Sequence, residues 1–94
     1  ASSDIDLKEN IEHIENAVDK INKLTGYTYN FKDDPEEPLA GLIAQEVDEV
    51  LPEAVKVNKN EHLTLDYHAI IALLVNAIKE QQEQIDELKG AFSK

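Results

Sequence analysis

The chain has 94 residues, with nine basic side chains, all lysine, against twenty carboxylates and a formal charge of -11. A chain of that length makes one domain at most and buries a modest share of its unfolded surface, so help from self-association is expected. The acidic balance argues against a phosphate backbone as partner, the lack of cysteine removes disulfides, and no apolar run approaches the roughly 20 residues of a membrane span.

The opening stretch "SSDIDLKENI" reads by itself as an acidic start in which Ser3 and Lys8 stand five residues apart. In "ENIEHIENAVDKINKL" the residues Ile11, Ile14, Val18, Ile21 and Leu24 recur at three and four positions, which predicts an amphipathic helix. Its start is open between an Asp6–Glu9 capping box and an Asn10 cap. "TGYTYNF" changes the period to two, with Tyr27, Tyr29 and Phe31 alternating against Thr28 and Asn30, and predicts a half-buried strand. The two prolines and four acids of "KDDPEEP" predict a turn or exposed loop.

Leu39 to Ile43 read as a short strand carrying Gly41, and "QEVDEVL" as a short helix halted before Pro52. Val55 and Val57, then Leu63 and Leu65, bracket the polar "NKNEH" and predict a hairpin with a five-residue loop. The expected class is therefore α+β, a small antiparallel sheet against short helices.

The last third is a long helix for which Asp66 is the expected cap. Ile71, Leu74, Ile78, Ile85 and Leu88 fall at spacings of three, four, seven and three, and Gln81 fills the vacant position of a heptad series. The earlier turns also carry Ile70, Leu73, Val75 and Ala77, whereas the later ones keep only the seam. A stripe that narrows this way predicts a helix that leaves its own domain to meet copies of itself, with dimer and trimer both open. The organisation expected is one domain over 1–94, with a globular part at 1–66 and an oligomerisation helix at 67–90.

His13, His62 and His68 are too scattered to suggest a site, and "DDPEEP" lacks the ligand spacing and glycine of a calcium loop. No metal and no cofactor is expected. The missing initial methionine predicts a fragment, a processed product or a trimmed form, and the N-terminus lacks the basic-then-apolar order of a signal peptide.

Three stretches in order, "SDIDLKENI", "GLIAQEVDEVLPEAV" and "LTLDYHAIIALLVNAIKE", resemble the signature blocks of the C-terminal intramolecular chaperone domain of bacteriophage tailspikes and tail fibres, the endosialidase-type chaperone or peptidase S74 family. The core of the second block is Gly41, Ile43, Ala44, Gln45, Glu46 and Val47. The resemblance implies a homotrimer ending a fibrous virion protein, bundled through the long helix. It would promote folding and registration of the upstream part of its own polypeptide in the bacterial host cytoplasm during virion assembly. It would then be released by self-cleavage, with no nucleic acid and no membrane involved.

The family's serine and lysine, five residues apart, correspond to Ser3 and Lys8, and the cut just before the serine corresponds to the Ser2–Ser3 bond. Asp6 stands where the family often has arginine. Chemically, a serine needs a base, and a lysine serves only when burial or a like charge favours its neutral form. Asp4, Asp6 and Glu9 oppose that, so the fold or a partner subunit has to cover Lys8. Glu46 reads as a solvated helix residue, a polar anchor at a subunit boundary or an electrostatic helper near Lys8. A trimerisation module without chemistry is the alternative function.

Overall fold

The computed structural model describes residues 2–93; Ala1 and Lys94, the ends of the expected 1–94 domain, lie outside them. A single 3-10 turn at Ile5–Leu7 precedes helix α1 (Ala17–Ile21), strands β1 (Tyr27–Phe31) and β2 (Asp34–Gly41), and helix α2 (Ala44–Val50). A second 3-10 turn at Pro52–Ala54 leads into strands β3 (Val55–Val57) and β4 (Leu63–Leu65), and the chain ends in helix α3 (Tyr67–Phe92). The class is α+β, as expected. The strands, however, form two separate two-stranded antiparallel sheets, β1–β2 and β3–β4, instead of one.

Helix α3 is the organising element. Asp66 starts it as its composition suggests, with Oδ1 accepting from the His68 amide at 2.9 Å. The Asp66 amide donates to the Ala54 carbonyl at 2.7 Å, which ties the helix start to the turn after α2. Ile70, Leu73 and Ala77, spaced at three and four, form the face that packs inward on Ala17, Val47, Leu51 and Ala54. Ile14, Val18, Ile21, Leu42, Val55 and Leu65 close around this nucleus. Leu73 and Val47 are its largest fully buried side chains.

The β3–β4 hairpin matches its expectation. Val55 pairs with Leu65 and Val57 with Leu63, and Asn58 Oδ1 closes the loop by accepting from the amides of Asn60 and His62 at 2.9 and 3.0 Å. Helix α2 also ends where proline requires: Leu51 leaves the helical region, at φ -148° and ψ 73°, before Pro52.

Besides the single sheet, further expectations are corrected: β1, expected to be half-buried, is exposed at all five residues, and three others follow. The helix expected through "ENIEHIENAVDKINKL" is present only as Ala17–Ile21. Asn10 and Asn16 adopt left-handed φ of 52° and 54°, and Glu9, Glu12 and Glu15 at i, i+3 spacing would repel one another on a helix. Neither expected cap is used. Asp4 instead accepts from the Asp6 amide at 2.9 Å and caps the first 3-10 turn. The start of α1 is capped from across the molecule, Glu80 of α3 accepting from the amides of Ala17 at 2.8 Å and Val18 at 3.0 Å.

The second correction is that "KDDPEEP" contributes to strand β2. Tyr29 pairs with Leu39 but Phe31 with Asp34, so β2 carries extra residues through an irregular stretch that contains Pro35 and Pro38. Prolines lack the amide that a regular ladder needs, and such a bulge is where they fit. Third, the strand expected at Leu39–Ile43 ends at Gly41, and Ile43 is the extended residue that begins α2.

The radius of gyration is 17.2 Å and the extents are 59 × 38 × 21 Å, against about 12 Å expected for the radius of a compact chain of this length. The surplus comes from the far end of α3, where residues 81–93 are all exposed.

Two outcomes are expected from this architecture. Leu73→Ala should lower unfolding stability by about 2–5 kcal/mol, the range for a buried leucine truncated without collapse of the site, as measured by urea denaturation. Glu80 has its carboxyl held below its usual value of 4.5, first by the Val18 amide and then by the Ala17 amide and the Lys20 charge, against a smaller opposing effect of desolvation. A depressed folded-state value contributes stability that is present above the ordinary glutamate range and lost as pH falls through the folded value. Glu80→Gln should therefore melt below the parent at pH 7, with the gap closing on acidification through that range.

Candidate functional site

The N-terminal arm, residues 2–13, runs exposed along its whole length. Its one regular feature is the Ile5–Leu7 turn, closed by Leu7 and Lys8 amides donating to the Asp4 and Ile5 carbonyls at 3.1 Å each. That turn reverses the chain enough for side chains five residues apart to meet. Lys8 Nζ donates to Ser3 Oγ at 2.9 Å. The pair that the family resemblance marks on this chain is thus brought together by purely local geometry, with Ser2 immediately before it.

The electrostatics of the pair matter as much as the distance. With Lys8 Nζ as the donor, the contact holds the serine oxygen without activating it. Proton abstraction needs the reverse arrangement, a hydroxyl donating to a neutral amine. Both side chains are exposed, and Asp4, Asp6 and Glu9 lie close in sequence. A surface that covers the arm would exclude water and favour the neutral amine. The arm also presents Ile5 at 71% and Leu7 at 72% exposure, apolar area suited to such a surface.

The Gly41–Val47 block is a structural joint. A Cβ on Gly41 would lie 2.7 Å from Tyr67 Oη, closer than real Cβ atoms approach, so only glycine admits this hydroxyl. Tyr67 Oη in turn accepts from the Leu42 amide at 3.2 Å, which joins the start of α3 to the end of β2. Val47 fills the core, Ala44 is half-buried, and Ile43 and Gln45 face outward. Glu46 Oε2 accepts from Tyr27 Oη at 3.0 Å, tying α2 to β1. The aromatic alternation at Tyr27 is legible in the sequence, but the reach of Tyr27 to Glu46 and of Tyr67 to the Leu42 amide carries no local signal.

Between the two hairpins lies an open cleft of about 870 Å³ lined by Tyr27, Tyr29, Phe31, Ile43, His62 and Tyr67 among others. Tyr29 and Phe31 meet edge to face with ring centroids 5.4 Å apart. Along α3, Ile71, Leu74, Ile78, Gln81, Ile85 and Leu88 form one exposed stripe beside the core face. Among the described residues no cluster of three His, Asp or Glu side chains is placed to hold a metal ion. No described helix is long and apolar enough to cross a membrane.

Comparison with known proteins places these features in a family. The model described as chaperone of endosialidase, Peptidase_S74, matches residues 3–56, from the serine of the arm through the joint to the start of β3. The long tail fiber protein Gp37 of Enterobacteria phage K3 is 42% identical over 96 aligned residues, covering 94% of this chain and 8% of that protein. Gp37 of Enterobacteria phage T2 is also 42% identical, over 94% of this chain and 7% of its own length. Gp37 of Salmonella phage S16 is 41% identical, over 94% of this chain and 13% of its own length. The chain thus spans a small part of each of these relatives. With more than half of it matched by the family model and nearly all of it aligned to tail-fibre proteins, the chain belongs to the Peptidase_S74 family, the chaperone of endosialidase.

Proposed function

We propose that this domain is a C-terminal intramolecular chaperone that trimerises and folds an upstream tail fibre or tailspike and then releases itself by cleaving the Ser2–Ser3 bond. Family membership supports the chaperone role in a viral tail-fibre context. The observation that carries the catalytic part is the Lys8–Ser3 contact at 2.9 Å, next to the bond to be cut. In this reading the 1–66 part is the folding body and 67–90 the assembly helix, acting in the bacterial host cytoplasm before the virion is complete.

The chemistry follows from the pair. With Lys8 neutral, its amine takes the Ser3 hydroxyl proton while Oγ attacks the Ser2 carbonyl carbon. The Ser2–Ser3 C–N bond breaks, the proton passes to the departing Ser3 nitrogen, and the Ser2 acyl group is left as an ester on Oγ. Water then hydrolyses the ester, giving a Ser2 carboxylate on the upstream product and a domain that begins with Ser3. No substrate pocket is required, since intramolecular placement supplies effective concentrations of up to about 10⁵–10⁸ M in well-oriented cases. Covering of the exposed arm on assembly would neutralise Lys8, so that cutting follows trimer formation.

The exposure of both side chains favours one other reading, a trimerisation module without chemistry, and processing separates the two. In protein expressed with its upstream segment, Ser3→Ala and Lys8→Ala should each abolish the cut while soluble trimers still form. Lys8→Arg should fail as well, because a guanidinium stays protonated. Intact mass and N-terminal sequencing read the result: efficient cutting by trimeric Lys8→Ala removes Lys8 as the base, and a product starting elsewhere moves the nucleophile.

Assembly has its own test. Ile78 is 64% exposed in the single chain, and in a seam it would be covered by neighbours. Ile78→Asp would place an uncompensated charge there and should shift sedimentation equilibrium from trimer toward monomer at micromolar concentration. A parent domain that sediments as a monomer would end the seam assignment.

A further inference from the structure

We propose that Asn76 and Glu80 of α3 are positioning residues for the Ser3–Lys8 reaction, clasping the base of the arm to the helix that carries the assembly seam. The inference rests on the self-cleavage reading above and adds to it the means by which assembly reaches the arm.

The arm has few attachments. Its turn is closed by its own backbone, and the Ser3–Lys8 contact is internal to it. Among the described residues, the first hydrogen bonds from the arm's end to the body are those of this clasp. Asn76 Nδ2 donates to the Ile14 carbonyl at 3.2 Å, and the two oxygens of Glu80 accept separately from Ala17 and Val18. Asn76 and Glu80 stand at i, i+4, one above the other on a single face of α3. Their partners, Ile14 on one side and Ala17 and Val18 on the other, flank Asn16, whose left-handed φ of 54° directs the chain into α1. Lysine 20 is the charged group that faces Glu80 from α1.

The reach is the reason this matters. Six residue steps run from Lys8 to Ile14, which bounds the distance of the pair from the clasp at about 20 Å. If the clasp opens and Ile14 leaves its packing on the core, the tether runs to Ala17, which the core still holds, and the added length alone dilutes the pair near any fixed surface by about twofold. Lost orientation adds to that. Leu74, Ile78 and Gln81 of the exposed stripe interleave with Asn76 and Glu80 along the same turns of α3. A partner helix seated on the stripe therefore orders the turns that grip the arm. The same helix would bring neighbouring subunits to the surface that has to cover Lys8.

The test uses the upstream-fused protein with Glu80→Ala, Glu80→Gln and Asn76→Ala. Trimers are isolated by size, and the first-order appearance of product beginning at Ser3 is followed by mass. The rate per trimer should fall roughly tenfold in Glu80→Ala, in keeping with the loss expected from ångström-scale misplacement. Glu80→Gln, which keeps the side-chain length and one accepting oxygen, should recover part of that rate, and Asn76→Ala should show a smaller loss. A merely structural role would lower the yield of trimer and leave the rate within each trimer unchanged, which would overturn the inference. If Glu80→Ala yields no trimer, the other two variants decide, and rates within the twofold of simple tether lengthening count against it. Absence of product from the parent itself would overturn the self-cleavage reading, and the clasp's role with it. A parent that cuts no faster than the variants overturns the clasp alone.

Discussion

A helix of 26 residues is about 39 Å long, yet its buried side chains all lie in its first three turns. Ile70, Leu73 and Ala77 meet Ala17, Val47, Leu51 and Ala54, and that contact is the core. Every other element is placed by its relation to this one face. The turn at Pro52–Ala54 accepts the helix start through Asp66, Tyr67 holds the end of β2, and Asn76 and Glu80 grip the entry to α1. With so few buried side chains, conformational entropy is opposed by a narrow margin of burial, and the polar ties at Asp66, Tyr67 and Glu80 set directions that a larger core would impose by packing.

The second consequence of that helix is what it leaves uncovered. The stripe from Ile71 to Leu88 and the apolar residues of the arm are exposed together, on a chain whose radius of gyration is well above that of a compact domain. An acidic surface with a charge of -11 opposes non-specific association. An apolar stripe interrupted by Gln81 is thus set within an acidic surface; under the proposed assembly, such an arrangement would favour association in one register over indiscriminate clustering.

Chemistry and anchorage are separated along the arm. Ser3 and Lys8 meet through one local turn, whereas among the described residues the hydrogen bonds that join the arm to the body lie where it enters α1. Under the proposed self-cleavage, this division would let the two side chains meet as soon as the turn forms and leave their activation to a covering surface. The Gly41–Val47 block does not touch the pair in this arrangement; through Tyr27 and Tyr67 it locks β1, β2, α2 and α3 together.

Much of this was determined by short-range pattern. The heptad series, the Asp66 cap, the Val55–Leu65 hairpin and the break at Pro52 each depend on neighbours a few residues away, and each is legible in the sequence for that reason. The Ser3–Lys8 meeting belongs to the same class, because one turn spans it. Tertiary structure decided the rest. The period of Ile11, Ile14, Val18 and Ile21 resembles a helix, but the backbone at Asn10 and Asn16 turns left-handed, and the start of α1 is capped by a carboxylate more than sixty residues away. The prolines of "DDPEEP" signal a turn, yet the irregular ladder opposite Tyr29 and Phe31 has room for residues that cannot donate. At α1 a carboxylate from α3 satisfies backbone groups that local residues leave open, and no reading of neighbours contains it; at β2 the irregular pairing with β1, and not the proline signal alone, decides the conformation.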